Sequence, residues 1–292
     1  MTIMPNSPKI EIYVVGHKVS ESIPSHGVFI PIQVGQGESF CSVRDNTGDN
    51  IAAKNDSFCE LTALYWIWKN TSGQDYVGLF HYRRHLSFSD HRQKEDKWRN
   101  VAYKTVSRSY LKTNRLADDA VIACVQNYDL VLPQKFPVYK ARCGQNVLDH
   151  YANSPGHFPA DYFMALKLIK QFYSAYAPYC DLISKAGAAH LCNIFIMKRY
   201  IFDAYCAWLF AILFKLEPQI SIAGRSATGK RVFGYISERL FNIFLEKLYA
   251  DRPNLKVKIL QQTLLTRPNN SLLQAAYSSL KQGAKRLIGG RI

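Results

Sequence analysis

Two hydrophobic periods run along the chain. "KIEIYVVGHK" is a compact apolar run that closes on Gly16 and predicts a strand at about 9–15. "FIPIQVG" predicts a short second strand, "DYVGLF" a buried one at 75–80, and "HLCNIFIM" one at about 191–197. Leu61, Leu64, Tyr65 and Trp68 repeat at helical spacing instead. Ser57 and Glu60 stand before them at the spacing of a capping box, which predicts a helix over about 58–70. "AVIACVQNYDLVLP" predicts a helix running into a strand at 129–132. Further helices are predicted in "FPADYFMALKLIKQFYSAY", "YIFDAYCAWLFAILFKLE" and over 233–249, and a short strand in "LKVKIL". Strands alternating with helices in this order predict an α/β fold.

Polar stretches divide the pattern. A turn-rich loop spans Gly35 to about Asn55, and residues 88–118 form a basic surface excursion. No internal repeat, low-complexity tract or strong linker interrupts the chain. The organisation predicted is one domain over 1–250 and a basic tail over 251–292. The longest apolar helix segment, Ala204 to Phe214, falls well short of the ~20 residues that cross a bilayer, so a buried helix is expected.

Charge narrows the partners. The 292 residues carry a formal net charge of +15, which favours anionic ligands: nucleic acid, an acidic membrane surface or phosphorylated small molecules. The seven cysteines are odd in number and show no metal-like spacing, and the N-terminus lacks the apolar run of a signal peptide. Reduced thiols and a cytoplasmic location are expected, with Cys192 and Cys206 as core residues.

Four stretches could carry chemistry. "GRSATGKR", Gly224 to Arg231, is one residue away from a phosphate-binding P-loop, but Arg231 replaces the hydroxyl that would hold Mg²⁺. No later strand supplies the acidic metal ligand, so a glycine-rich loop before a helix is the better reading. "GLFHYRRHL" sends a buried strand into His81, Tyr82, Arg83 and Arg84, at a strand end where ligands of α/β sheets collect. Its adjacent arginines suit a diphosphate; a solvated basic turn is the alternative. "RDNTGDN" offers Asp45, Asn46, Asp49 and Asn50 for a ribose, base or sugar, against plain turn chemistry. "GYISERLF" offers Glu238 as a general base, with Arg239 beside it, against a buried ion pair. No RNA-recognition, zinc-finger or basic-zipper signature is present.

Five ordered blocks, from "DNTGDNIAAKNDSFCELTALYWIWKN" through "DYVGLFHYRRHL", "YDLVLP" and "HLCNIFIMKRYIFDAYCAWLFAIL" to "RVFGYISERLFNIFL", together resemble one bacterial family. It is labelled a domain of unknown function (DUF4422-type) and is associated with capsular polysaccharide, exopolysaccharide and O-antigen synthesis. The resemblance covers about residues 9–249 and implies a glycosyltransferase with a GT-A-like, Rossmann-type mixed sheet flanked by helices.

It implies a nucleotide held near Val15, Gly16, His17 and Lys18, with the Asp45–Asn50 loop close by and the His81–Arg84 strand end at the diphosphate. Asn193, His190, Arg231 and Arg239 would face the sugar and acceptor, and Glu238 would be the base of an inverting displacement. The donor implied is a UDP-hexose or UDP-galactofuranose, and the acceptor a lipid-linked surface polysaccharide. No Asp-x-Asp occurs anywhere, so a Mn²⁺ or Mg²⁺ cofactor loses its usual ligands and His81, Arg83 and Arg84 are expected to replace it. The tail places Leu272, Leu273, Ala276, Leu280 and Leu287 near one helical face among basic residues, which suits an anionic membrane surface on the inner leaflet. A non-catalytic phosphate- or nucleic-acid-binding protein is the alternative class.

Overall fold

A computed structural model describes residues 7–17, 24–141 and 144–266. Its strands, in chain order, are β1 (Ile10–Gly16), β2 (Phe29–Gln33), β3 (Val43–Arg44), β4 (Tyr76–His81), β5 (Arg84–Ser87), β6 (Asn100–Tyr103), β7 (Leu130–Pro133), β8 (Phe136–Pro137), β9 (Ala188–Ala189), β10 (Phe195–Lys198) and β11 (Val257–Leu265). The α-helices are α1 (Asn55–Phe58), α2 (Leu61–Asn70), α3 (Arg108–Thr113), α4 (Asp118–Val125), α5 (Val147–Asn153), α6 (Pro159–Phe172), α7 (Ala177–Ser184), α8 (Arg199–Leu216), α9 (Ala227–Lys230) and α10 (Val232–Asp251).

One mixed sheet runs β3-β2-β1-β4-β10-β7-β11. Every neighbour in that order is parallel except β10, which lies antiparallel to both β4 and β7. β4 continues past β10 into a tight hairpin in which His81 pairs with Arg84, and β5 then runs antiparallel to β11. β8 and β9 form a separate two-stranded ribbon.

The period of two explains why both faces of the sheet are covered. Tyr13 and Val15 of β1, with Val77 and Leu79 of β4, pack under α2, α6, α8 and α10. Ile12 and Val14, with Tyr76 and Phe80, face the other way onto α3 and α4. Gly78 lies where the sheet is tightest: a Cβ there would meet Ile12 Cγ1 at 2.9 Å and Ile196 Cγ1 at 3.0 Å.

Three sequence expectations change. First, the capping box at Ser57 and Glu60 does not form. Ser57 Oγ donates to the Lys54 carbonyl, and the chain breaks at Cys59, whose φ of +53° separates α1 from α2. Glu60 stands at the start of α2 without capping it, so its carboxylate is left for other use. Second, the apolar run over 191–197 is strand only from Phe195; Cys192 and Asn193 form a left-handed turn with φ of +75° and +47°. Third, the strand seen in "LKVKIL" extends over nine residues to Leu265 and lies between β7 and β5. The part of the expected tail up to residue 265 thus includes a strand of the sheet, while residues 267–292 lie outside the described residues.

The basic excursion over 88–118 is also anchored. Tyr110 and Leu116 are buried, and the Tyr110 hydroxyl contacts His85 Nδ1 at 2.7 Å and Thr263 Oγ1 at 2.8 Å. Among the described residues, no helix is long and apolar enough to cross a membrane.

Candidate active site

A cavity of about 490 Å³ opens at the carboxyl ends of β1 and β4. Val15, Gly16 and His17 line it from β1 and its exit, and Val34 from the end of β2. His81, Tyr82, Arg83 and Arg84 line it from the β4–β5 hairpin, Cys59 and Glu60 from the α1–α2 break, and Ala227 and Arg231 from the entry to α10. The strand ends hold these groups rigidly: the Tyr82 N–H donates to the Val15 carbonyl at 2.9 Å, and the His17 ring meets Tyr82 edge-on at 5.2 Å. Arg83 Nε donates to the Leu265 carbonyl at 2.8 Å, which ties the hairpin to β11.

The centre of the cavity is a carboxylate among cations. Glu60 Oε1 accepts from Asn193 Nδ2 at 2.7 Å, and no other residue among those described hydrogen-bonds the carboxylate, which is otherwise met by its own backbone N–H. Burial raises the Glu60 pKa; the Asn193 amide and the nearby Arg231 and Arg84 charges oppose that rise. A carboxylate pushed upward by desolvation, in a cleft and held by only one other side chain, has the properties of a general base.

His81 is a different case. Burial, with Arg84 adding to it, lowers its pKa to about 4, and its Nε2 is buried with no partner among the described residues. The imidazole is therefore neutral at ordinary pH, and the cations of the cavity are arginines: Arg83, Arg84 and Arg231.

Glu238 is near this centre but turned to other partners. Its Oε1 accepts the Cys192 N–H at 2.9 Å and its Oε2 accepts Arg239 Nη1 at 2.6 Å. Arg239 is 1% exposed and also donates to the Tyr235 carbonyl, with its Nη2 3.1 Å from His150 Nδ1. Burial raises the Glu238 pKa, Arg239 opposes that rise and the nearby Glu60 charge adds to it.

The remaining sequence candidates divide cleanly. Of the "DNTGDN" loop, none lines the cavity. Asp49 accepts from Tyr65 Oη and its N–H donates to Asn70 Oδ1, while Asn50 bonds within its own turn; Asn46 is exposed and Asp45 fully buried. His190 is buried, with its N–H and carbonyl both held by the Asn242 amide at 2.8 Å. Lys18 lies outside the described residues.

"GRSATGKR" is a structural loop whose last residue reaches the cavity. Arg225 makes a two-pronged ion pair with Asp161 at 2.5 and 3.0 Å, Ser226 caps α9 through the Gly229 N–H, and Arg231 reaches the cavity.

Sequence reasoning missed six residues that line the cavity, Val34, Asn55, Asp56, Cys59, Glu60 and Ala227, and Glu60 is the one with the most chemistry to offer. The signal was present in the run "DSFCEL", but a Glu three residues after a Ser reads first as a helix cap.

Among the described residues no three His, Cys, Asp or Glu side chains converge, and the cavity walls set three arginines against Asp56 and Glu60. A second cleft of about 530 Å³ lies beside Arg92, Arg115 and Lys258; Asp90 and Arg115 are already paired there.

Comparison with known proteins identifies a family and a related solved structure. The family described as Domain of unknown function (DUF4422) matches residues 11–249. The solved apo structure of the WbbM bifunctional glycosyltransferase superposes with a TM-score of 0.84 at 39% sequence identity, covering 89% of this chain and 46% of that one. The chain therefore spans less than half the length of that protein. None of the curated proteins matches the chain.

Proposed function

The chain belongs to the family described as Domain of unknown function (DUF4422), and from that membership and the chemistry of the cavity we propose that it is a metal-independent GT-A-type glycosyltransferase. The observation that carries the reading is Glu60: a desolvated carboxylate held by a single other side chain, Asn193, and facing arginines at the carboxyl ends of the central strands.

The order of events follows from the groups. Val15 and Val34 give the nucleobase apolar walls, with His17 and Tyr82 beside them. The diphosphate lies against Arg84, Arg231 and the Arg83 side of the hairpin. Glu60 takes the proton from the acceptor hydroxyl as that oxygen bonds to the anomeric carbon. The bond from that carbon to the diphosphate oxygen breaks on the opposite face, and the nucleoside diphosphate leaves with the electron pair. Arginines offset the charge growing on it, the task a divalent metal performs elsewhere. Glu238, proposed from sequence as the base, yields that role to Glu60 because both its oxygens are engaged.

The donor proposed is a UDP-hexose or UDP-galactofuranose, and the acceptor a lipid-linked surface polysaccharide. The chain's net charge of +15 supports work at an anionic membrane face. A thermal-shift series with UDP, UDP-galactose and UDP-galactofuranose, each with EDTA and with Mn²⁺, tests the reading. Stabilisation by UDP compounds in EDTA is expected. Stabilisation only with Mn²⁺ contradicts the metal-independent part, and none in either condition contradicts the donor class.

A further inference from the structure

Helix α10 grips the chain before β10 at successive points along one of its faces. Asn242 holds both the N–H and the carbonyl of His190, Glu238 Oε1 accepts the Cys192 N–H, and Ser237 Oγ accepts Asn193 Nδ2 at 2.9 Å. Glu238 and Asn242 stand four residues apart, the spacing that places side chains on one helix face, and Ser237 flanks Glu238. The segment they grip contains two consecutive non-glycine residues in the left-handed region, Cys192 and Asn193. Such a pair persists only where the surroundings over-determine it, and strain of this kind gathers at functional sites. What the turn achieves is visible at its tip: it brings Asn193 Nδ2 onto Glu60 Oε1 at 2.7 Å.

We propose that Glu238 is a positioning residue, which acts through the Cys192 N–H to hold the left-handed turn so that Asn193 stays locked on one oxygen of Glu60. The second Glu60 oxygen is then presented to the acceptor hydroxyl in a fixed direction. This inference rests on the reading of Glu60 as the base, and it assigns its neighbour a role that touches no substrate.

Arg239 completes the arrangement. Its guanidinium pairs with the second Glu238 oxygen and opposes the rise in pKa that burial imposes on the carboxylate gripping Cys192. The same helix face reaches the other side of Glu60. Gly234 packs on Cys59, where a Cβ would meet Sγ at 3.1 Å, and Arg231 Nε donates to that sulfur at 3.3 Å. One helix therefore orders both strained turns that meet at the Glu60–Asn193 contact.

The test reads the ionisation of Glu60 directly, in the full chain without ligand. Carboxyl carbons of glutamate are labelled with ¹³C, and the Glu60 signal is assigned by its loss in Glu60→Gln. The charges facing Glu60 are Arg84, Arg231 and Glu238; His81 beside them is neutral over the titration range above about pH 4. Glu238→Gln and Glu238→Ala remove the same negative charge, but only glutamine keeps an oxygen for the Cys192 N–H.

With the turn held by that oxygen, Glu60 titrates higher in Glu238→Ala than in Glu238→Gln, by roughly 0.5–1 pH unit, because alanine loses the Asn193 donor from the carboxylate. Adding Asn193→Ala to both variants closes the gap. Coincident titrations in the two Glu238 variants, or a gap that survives without Asn193, overturn the proposal. If Glu238→Ala does not fold, Glu238→Asp replaces it. Aspartate keeps the charge but not the reach, and its Glu60 titration is expected above that of the wild type; an unchanged value overturns the proposal. Failure of the base assignment is separate, since it would show as turnover by Glu60→Gln and leave these titrations as they are.

Discussion

Asn193 donates to the Glu60 carboxylate at 2.7 Å across 133 residues of sequence. The contact joins the start of α2, which lines the cavity through Glu60, to the turn before β10. It also sets a hierarchy among the acidic residues: one carboxylate held by a single other side chain, and another, Glu238, committed to the frame.

Glu60→Gln retains the shape and the Asn193 contact but removes the proton acceptor. Turnover of a UDP-sugar donor with acceptor is expected to fall by about 10²–10⁴-fold, the usual contribution of a general base. UDP affinity, read by calorimetry, is expected to stay within a few-fold of the wild type.

Arg84→Ala and Arg231→Ala each remove a cation from the diphosphate wall. Each is expected to lower kcat by about 10²–10³-fold, the scale for losing one preorganised charge stabiliser, and to weaken UDP binding in the same calorimetric series. Arg83 is tied through Nε to Leu265, so Arg83→Ala is expected to lower the melting temperature in addition to activity.

Asp161→Ala breaks a pair that is itself largely buried, at 14% and 7% side-chain exposure, and strands the Arg225 guanidinium over Phe158. Loss of one partner of such a pair costs about 3–5 kcal/mol, so denaturant unfolding is expected to move to lower midpoint. Replacing both, as Asp161→Leu with Arg225→Met, is expected to recover most of that loss. The loop that delivers Arg231 relaxes in the single variant, which is expected to raise KM for the donor.

Acid stability follows from buried imidazoles. Burial holds His81, His150 and His157 to about 4, and His85 and His190 to about 3, against 6.5 in the unfolded chain. Below pH 6.5 the unfolded state binds more protons, so this contribution is complete above 6.5 and is lost progressively as pH falls toward those folded values. Glu60 and Glu238, shifted upward, act in the opposite sense but are fewer. The melting temperature is expected to fall steadily from pH 6.5 to 5; a flat profile over that interval would refute the account of these histidines.

The sequence made the frame legible because apolar periodicity is a local signal. β1, β4, α8 and α10 each carry an uninterrupted run whose period matches its burial on one or both faces. Arg83, Arg84 and Arg231 were legible too, since each adjoins an element end. Glu60 was not. Its significance depends on a backbone break at Cys59 and on Asn193, neither of which short-range pattern can report. The Asp45–Asn50 loop misled for the complementary reason: its polar residues are turn formers, and most of their hydrogen bonds go to α2 and to their own turn. β11 was cut short because Gln261 and Gln262 read as a strand end, whereas both bond to polar partners on β6 and the excursion, and Thr263 beyond them bonds to His85 and Tyr110.

The most direct measurement compares Glu60→Gln with Glu238→Gln in one assay of UDP release from the donor that the thermal-shift series selects. Glu60→Gln is expected to lose at least about 10²-fold in kcat. Glu238→Gln, which keeps an oxygen for the Cys192 N–H, is expected to retain activity within about tenfold of the wild type, the loss of one committed hydrogen bond's charge. Wild-type turnover by Glu60→Gln, with loss confined to Glu238→Gln, would contradict the account and return the base to Glu238.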